Sequence, residues 1–291
     1  MNTLGGARDE PLAPHTSLRI GGPADFFVQV RSEDDLIGAI GVARQVELPT
    51  FILGGGTNVL VADAGIRGVV LQNGWSDASV SGTVIDAASG TPLAHVAAVA
   101  ARNGILGLEW MATVPGTVGG AVHGNAGAFG SEIAAGLIDV RLIDLNGDSW
   151  TARVDELGYA YRTSTLQGTP VICVRARFHG DPGDRREAVR RIKEMANERI
   201  ATQPLAQPNT GSIFRNPPGD HAGRLIEAAG LRGARFGGAM VSEKHANFIV
   251  NVGGATAADV RALMRRCQDE VRAAFGVELV REVELVGEWD D

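Results

Sequence analysis

Between Thr113 and Gly130 the chain reads TVPGTVGGAVHGNAGAFG, and six of these eighteen positions are glycine. No aliphatic side chain in the stretch is larger than valine, and its one aromatic residue is Phe129. A backbone this bare is built to come close to something, and its N–H groups suit phosphate oxygens. Any fold for this chain must set the stretch where such an approach is possible.

A second glycine run, Gly54-Gly55-Gly56-Thr57-Asn58, lies about sixty residues earlier, between the apolar runs Phe51–Leu53 and Val59–Val61. A dinucleotide-binding Rossmann loop needs G-x-G-x-x-G opening a helix. Here another strand-like run follows, so the loop belongs to a phosphate cradle outside the Rossmann plan. Two such loops in one domain can grip a pyrophosphate from both sides through backbone donors. Tight turns and close packing are the alternative reading of the same glycines.

The remaining pattern mixes strands and helices in both halves, an α+β arrangement. Residues 1–14 read as a loose arm. Strands are expected at Phe26–Val30, Phe51–Leu53, Val59–Val61, Val69–Leu71, Val84–Ile85, Leu137–Leu145, Val171–Phe178 and Phe248–Val250. A capping Ser32 precedes Leu36, Ile37, Ile40 and Ala43 at helical spacing, and a second helix runs through Leu93–Ala100 to Asn103-Gly104. A third helix starts at Asp184, and Leu225–Ala229 form a fourth that closes at Gly230. Thr256 caps a last helix with Asp259 at its third position, and Gly276 ends it. Val277–Val286 reads as one closing strand. With 291 residues the chain has room for about two domains, and Pro204 and Pro208 mark a boundary near 198–208.

Charge and cysteine usage exclude several classes. The net charge is −7 and no Lys/Arg run is present, which argues against nucleic acid as a partner. Cys173 and Cys267 stand far apart, and the six histidines show no metal-binding spacing, so no metal site is expected. No apolar run reaches the length of a membrane span and no secretory h-region opens the chain. A reducing cytoplasm fits.

Three positions invite chemistry. Arg162 follows two tyrosines in a polar segment, and a guanidinium fork binds carboxylates. Ser212 lies between Gly211 and Ile213-Phe214, where a serine donates a proton or merely shapes a turn. In the closing strand Glu278, Glu282 and Glu284 share one face, and the alternation does not choose among them.

Seven segments together carry a resemblance. They are Thr16–Asp25, Leu53–Val61, Gly107–Ala121, Asn125–Gly130, Tyr161–Ser164, Gly211–Pro217 and Arg281–Gly287. In this order they closely resemble the UDP-N-acetylenolpyruvoylglucosamine reductase (MurB) family, over residues 14 to 289. The resemblance implies a two-subdomain FAD-binding fold of the vanillyl-alcohol-oxidase/CO-dehydrogenase-flavoprotein type plus a C-terminal α+β substrate domain. It places the FAD-binding domain at 1–200, split near 80 and rejoined by a final strand at 281–291, and the substrate-binding domain at 201–280. The short chain resembles the subtype that lacks an extra tyrosine-bearing loop.

What the resemblance implies for chemistry is a two-stage reduction. NADPH reduces a non-covalent FAD, whose hydride then goes to the enolpyruvyl group of the UDP-sugar. Arg162, Ser212 and Glu282 match the family's catalytic positions, with Ser212 as proton donor. Gly54, Gly55, Gly56, Thr57, Asn58, Pro115, Gly116, Gly119, Gly120 and Asn125 fall in the cofactor-binding segments. Tyr161, Arg215, Asn216, Lys244, His245 and Asn247 fall in substrate-binding ones. No protein partner is implied. His123 is the only histidine in the glycine loops and nothing around it resembles a covalent tether. Gly124, Phe129 and Thr163 depart from the family pattern, and Thr163 is expected to loosen the hold on Arg162.

Overall fold

Val171–His179 is the middle strand of a five-stranded antiparallel sheet, ordered 149–153, 137–144, 171–179, 84–88, 78–81 in the computed structural model. The structure describes residues 6–289; the expectations for residues 1–5 and 290–291 lie outside the described residues. In the middle strand the apolar residues Ile172, Cys173, Val174, Ala176 and Phe178 are buried, on both faces of the sheet. Ile172 and Val174 join Ile143 in a cluster around helix α1 (Glu33–Gln45). Cys173, Ala176 and Phe178 join a second cluster around α2 (Leu93–Arg102) and α3 (Val118–Gly124). A bulge between the pairs Arg141–Arg175 and Leu142–Cys173 inserts Val174 and flips the alternation.

These elements form the first of two units into which the chain divides by contact. It takes residues up to 7, 26–55 and 68–198. Helix α1 starts as its sequence requires: the Ser32 hydroxyl accepts from the Asp35 N–H at 3.0 Å, and Leu36, Ala39, Ile40 and Ala43 are buried. Short α4 (Ile133–Gly136) and long α5 (Arg185–Thr202) complete the helices here, and the division falls inside α5.

The second unit gathers residues 8–25, 56–67 and 199 onward. Its core joins Leu18, Ile20 and Leu60 to Ile213, Phe214, Leu279 and Val283, beneath α6 (Ala222–Ala228) and α7 (Ala257–Phe275). Helix α7 is capped reciprocally. The Asp259 N–H donates to the Thr256 hydroxyl at 3.1 Å, and the Thr256 N–H donates to Asp259 at 3.0 Å. The Asp63 carboxylate accepts from the N–H groups of Ala257 and Ala258, compensating the helix's positive end. A three-stranded sheet (235–236, 239–241, 249–251) packs in the same core, and Glu284–Val286 pairs in parallel with Val59–Val61.

Three expectations need correction. The arm is not loose: Ala7–Pro11 is a strand, and Leu12 is fully buried with its N–H on the Gly22 carbonyl at 3.1 Å. The closing strand is shorter than Val277–Val286 and begins at Glu284, because residues 280–282 pair instead with the irregular segment 213–215. The glycine stretch is not wholly a loop. Residues 118–124 form α3 despite three glycines, because Val118, Ala121 and Val122 sit on one helical face and bury against α2 and the sheet. Packing here overrides a poor intrinsic propensity.

Candidate active site

The two glycine runs meet within the first unit. A side chain at Gly54 would press on the Thr117 hydroxyl at 2.6 Å, so the end of the first loop lies against the start of α3. The N–H groups of Val118 and Gly119 are already engaged, by the carbonyls of Thr91 at 2.9 Å and Ser89 at 2.8 Å. They anchor the stretch and are not phosphate donors. Gly120 and Gly124 are different. An added Cβ would meet only Thr117 Oγ1 at 3.9 Å at the first, and nothing within 4 Å at the second. Neither has a left-handed backbone, and no neighbour in the chain requires glycine there. Each costs the helix up to about 1 kcal/mol relative to alanine, and at Gly120 the helix leaves an exposed, unfilled face. A flat group with phosphates fits a face kept open in this way.

Helix α3 ends at Asn125, which is left-handed (φ 46°) and fully buried. Its side chain donates to the Ala160 carbonyl at 3.0 Å and accepts from the Ala134 N–H at 3.1 Å. Asn125, expected among the cofactor ligands, thus spends both ends of its amide on the protein's own backbone.

Ala160 opens the turn that carries Arg162. The N–H of Thr163 donates to the Ala160 carbonyl at 3.0 Å and the N–H of Ala160 to the Thr163 carbonyl at 3.1 Å. Tyr161 and Arg162 occupy the two central positions, and Arg162 has φ 56°. The third place of a turn with positive φ normally belongs to glycine or asparagine. An arginine there stores about 1–3 kcal/mol of backbone strain and persists only when its surroundings over-determine it. They do so through side chains. The Tyr159 hydroxyl donates to the Val122 carbonyl at 3.0 Å, the Ser164 hydroxyl to the His123 carbonyl at 2.6 Å, and the Gln167 amide to the Arg162 carbonyl at 3.3 Å. Burial pushes the Tyr159 phenol well above its ordinary range, so it stays a donor. The Arg162 guanidinium donates to the Gly127 carbonyl at 2.8 Å and lies 5.2 Å from the Tyr161 ring centroid. The Thr163 departure does not loosen this turn by itself, since its main chain closes it.

The second half of the first glycine loop belongs to the second unit, the division falling between Gly55 and Gly56. Gly56 has φ 61°, and any side chain would run into the His15 carbonyl. On this loop rest two further segments. Thr210 donates its hydroxyl to the Thr57 carbonyl at 2.9 Å, and the Asn58 amide donates to the Glu282 carbonyl at 3.2 Å. Ser212 and Glu282 are brought together by main-chain bonds: the Glu282 N–H donates to the Ile213 carbonyl at 2.8 Å, and the Arg215 N–H to the Val280 carbonyl at 2.9 Å. The structure therefore separates the three glutamates. Glu282 is half-buried beside the Ser212 segment, whereas Glu278 and Glu284 are exposed.

Asn247 is buried and holds the same segment. Its amide accepts from the Phe214 N–H at 3.0 Å and donates to the Phe214 carbonyl at 2.8 Å, while its carbonyl takes the Ile213 N–H at 2.9 Å. Asn247 and Asn216, both expected to touch substrate, are thus engaged within the protein; Asn216 accepts from the Ala222 N–H and caps α6. Lys244 is exposed and donates to the Ile200 carbonyl. Burial holds His245 below the ordinary imidazole range, and its Nδ1 accepts from the Asn247 N–H at 3.2 Å. Tyr159, Ser164 and Thr210 carry structure that motif reading missed. The one available signal was hydroxyl side chains crowding both reactive segments.

The chain matches the FAD binding domain model over residues 24–153 and the UDP-N-acetylenolpyruvoylglucosamine reductase C-terminal domain model over residues 203–286. It is 45% identical to UDP-N-acetylenolpyruvoylglucosamine reductase 2 of Symbiobacterium thermophilum, over 96% of this chain and 92% of that one. It is 43% identical to the reductase of Caldanaerobacter subterraneus subsp. tengcongensis, over 96% and 93% of the two chains. The crystal structure of the Thermus caldophilus reductase superposes with a TM-score of 0.82 at 35% identity, covering 94% of this chain and 97% of that one.

Proposed function

The chain belongs to the UDP-N-acetylenolpyruvoylglucosamine reductase family, and from that premise we propose which of its residues carry the reaction. The protein is an FAD-dependent oxidoreductase of peptidoglycan precursor synthesis that uses NADPH to reduce the enolpyruvyl group of UDP-N-acetylenolpyruvoylglucosamine. Gly54, Gly55, Gly56, Thr57, Pro115, Gly116 and Gly120 are the residues that would hold FAD non-covalently, and FAD when bound would supply the hydride taken from NADPH.

Hydride arrival at the methylene carbon of an enol ether leaves negative charge on the neighbouring carbon and its carboxylate. Arg162 neutralises that charge where it develops. Ser212 gives its hydroxyl proton to the neighbouring carbon, completing UDP-N-acetylmuramate. A serine hydroxyl is a weak acid, so its position has to be fixed and its proton replaced. Glu282 serves as the protonated or hydrogen-bonding member of that relay, because a bare carboxylate would repel the developing charge. Tyr161, Arg215, Lys244 and His245 supply contacts to the UDP-sugar. The FAD-binding domain lies within 1–200 and the UDP-sugar domain within 201–280, in a cytoplasmic enzyme; the two matched spans support that order.

The observation that carries the assignment is the main-chain bond from Glu282 to Ile213, which sets this glutamate's backbone beside the Ser212 segment. Its test is Ser212→Ala. Flavin reduction by NADPH should proceed at the normal rate, and reoxidation by UDP-N-acetylenolpyruvoylglucosamine should slow by roughly 10²–10⁴-fold. Normal reoxidation would remove Ser212 from the mechanism.

A further inference from the structure

Four hydrogen bonds stitch the Arg162 turn to the end of α3. Tyr159, Asn125, Arg162 and Ser164 each supply the donor for one, to the carbonyls of Val122, Ala160, Gly127 and His123. Two of these acceptors, Val122 and His123, lie in the last turn of α3, where carbonyls lack partners within the helix. Tyr159 and Ser164 satisfy them. The helix end and the turn therefore complete each other: α3 is capped by the segment that flanks Arg162, and the turn is held by the helix whose open face takes the cofactor.

The strain at Arg162 makes this more than packing. Left to itself, a turn with an arginine at φ 56° would relax to a conformation with negative φ. That relaxation would swing the guanidinium away from its present place. The bonds that oppose it fall on both sides of Arg162, through Tyr159 and Asn125 before it and Ser164 after it. Ser164 and Asn125 are buried, so neither bond competes with solvent.

We propose that Asn125, Tyr159 and Ser164 are positioning residues for Arg162, holding its backbone left-handed against the end of the cofactor helix so that the guanidinium waits in place before substrate arrives. This rests on the reading that Arg162 neutralises the carboxylate charge. The consequence is specific to one half of the cycle. Hydride transfer from NADPH builds no charge on the enolpyruvyl carboxylate and so is indifferent to the turn. Reduction of the enolpyruvyl group depends on it.

The test uses the FAD-loaded enzyme with Tyr159→Phe, Ser164→Ala, Ser164→Thr and Arg162→Ala, followed by stopped-flow flavin absorbance. Flavin content and melting temperature are recorded for each variant. Tyr159→Phe and Ser164→Ala should each slow reoxidation by UDP-N-acetylenolpyruvoylglucosamine about ten- to a hundredfold, with reduction by NADPH unchanged. Ser164→Thr, which keeps the hydroxyl, should recover most of the rate. Placed on the Arg162→Ala background, Ser164→Ala should slow reoxidation no further, because a positioning residue has nothing left to position. Two results would overturn the proposal: normal reoxidation in both single variants, or the same fractional loss with and without Arg162. The underlying reading fails separately, if Arg162→Ala itself reoxidises at the normal rate.

Discussion

The Arg162 turn and the Ser212 segment, which carry the proposed reacting groups, are anchored by opposite means. The Arg162 turn is held to α3 largely by side chains, from Tyr159, Asn125, Ser164 and Arg162 itself. The Ser212 segment is held largely by main chain, through Ile213 and Arg215 to residues 280–282, with Asn247 clamping Phe214. The difference follows from backbone shape. An extended segment can pair with a neighbouring strand, whereas a tight turn with a left-handed residue exposes few groups for regular pairing. Point substitutions should therefore reach Arg162 through many residues and Ser212 through one.

The largest effect on stability is expected where a single side chain replaces a ladder. Asn247→Leu would leave the buried N–H and carbonyl of Phe214 unpaired, at about 1–3 kcal/mol for each group. Chemical denaturation should show a loss of that size, against about 1 kcal/mol for Tyr159→Phe. Equal losses would erase the contrast between the segments.

A smaller effect of opposite sign is expected at the open helix face. Gly120→Ala should stabilise the flavin-free protein by up to about 1 kcal/mol, since the added methyl meets nothing closer than 3.9 Å. The same variant should bind FAD more weakly in a flavin fluorescence titration. Unchanged FAD affinity would mean that the face is bare for another reason.

The smallest change in stability should accompany one of the deepest losses of activity. Arg162→Gly removes the backbone strain, about 1–3 kcal/mol, and also the bond to Gly127, worth about 1 kcal/mol. Thermal unfolding should shift little while reoxidation collapses. A marked destabilisation would show the turn to be unstrained.

Local signals in the sequence were sufficient for much of this. The cap and stop of α7 are legible in Thr256, Asp259 and Gly276 because every partner lies within one helix. The family and the cofactor follow from short segments in fixed order. The functions of Asn125 and Asn247 were not legible, because their partners Ala160 and Phe214 lie 35 and 33 residues away in sequence. For the same reason the glycine stretch did not show itself as helical: its apolar face is completed by residues of α2 and the sheet. Alternation gave Glu278, Glu282 and Glu284 the same standing; the resemblance, and in the structure the pairing of 280–282 with 213–215, set Glu282 apart.

The open glycine face of α3 also bears on proteolysis. A helix that gives up packing to leave room for a ligand recovers that stability only when the ligand is bound, by about 2.7 kcal/mol at a hundredfold excess over the dissociation constant. The flavin-free protein should accordingly be cleaved by proteases more readily than the flavin-bound one.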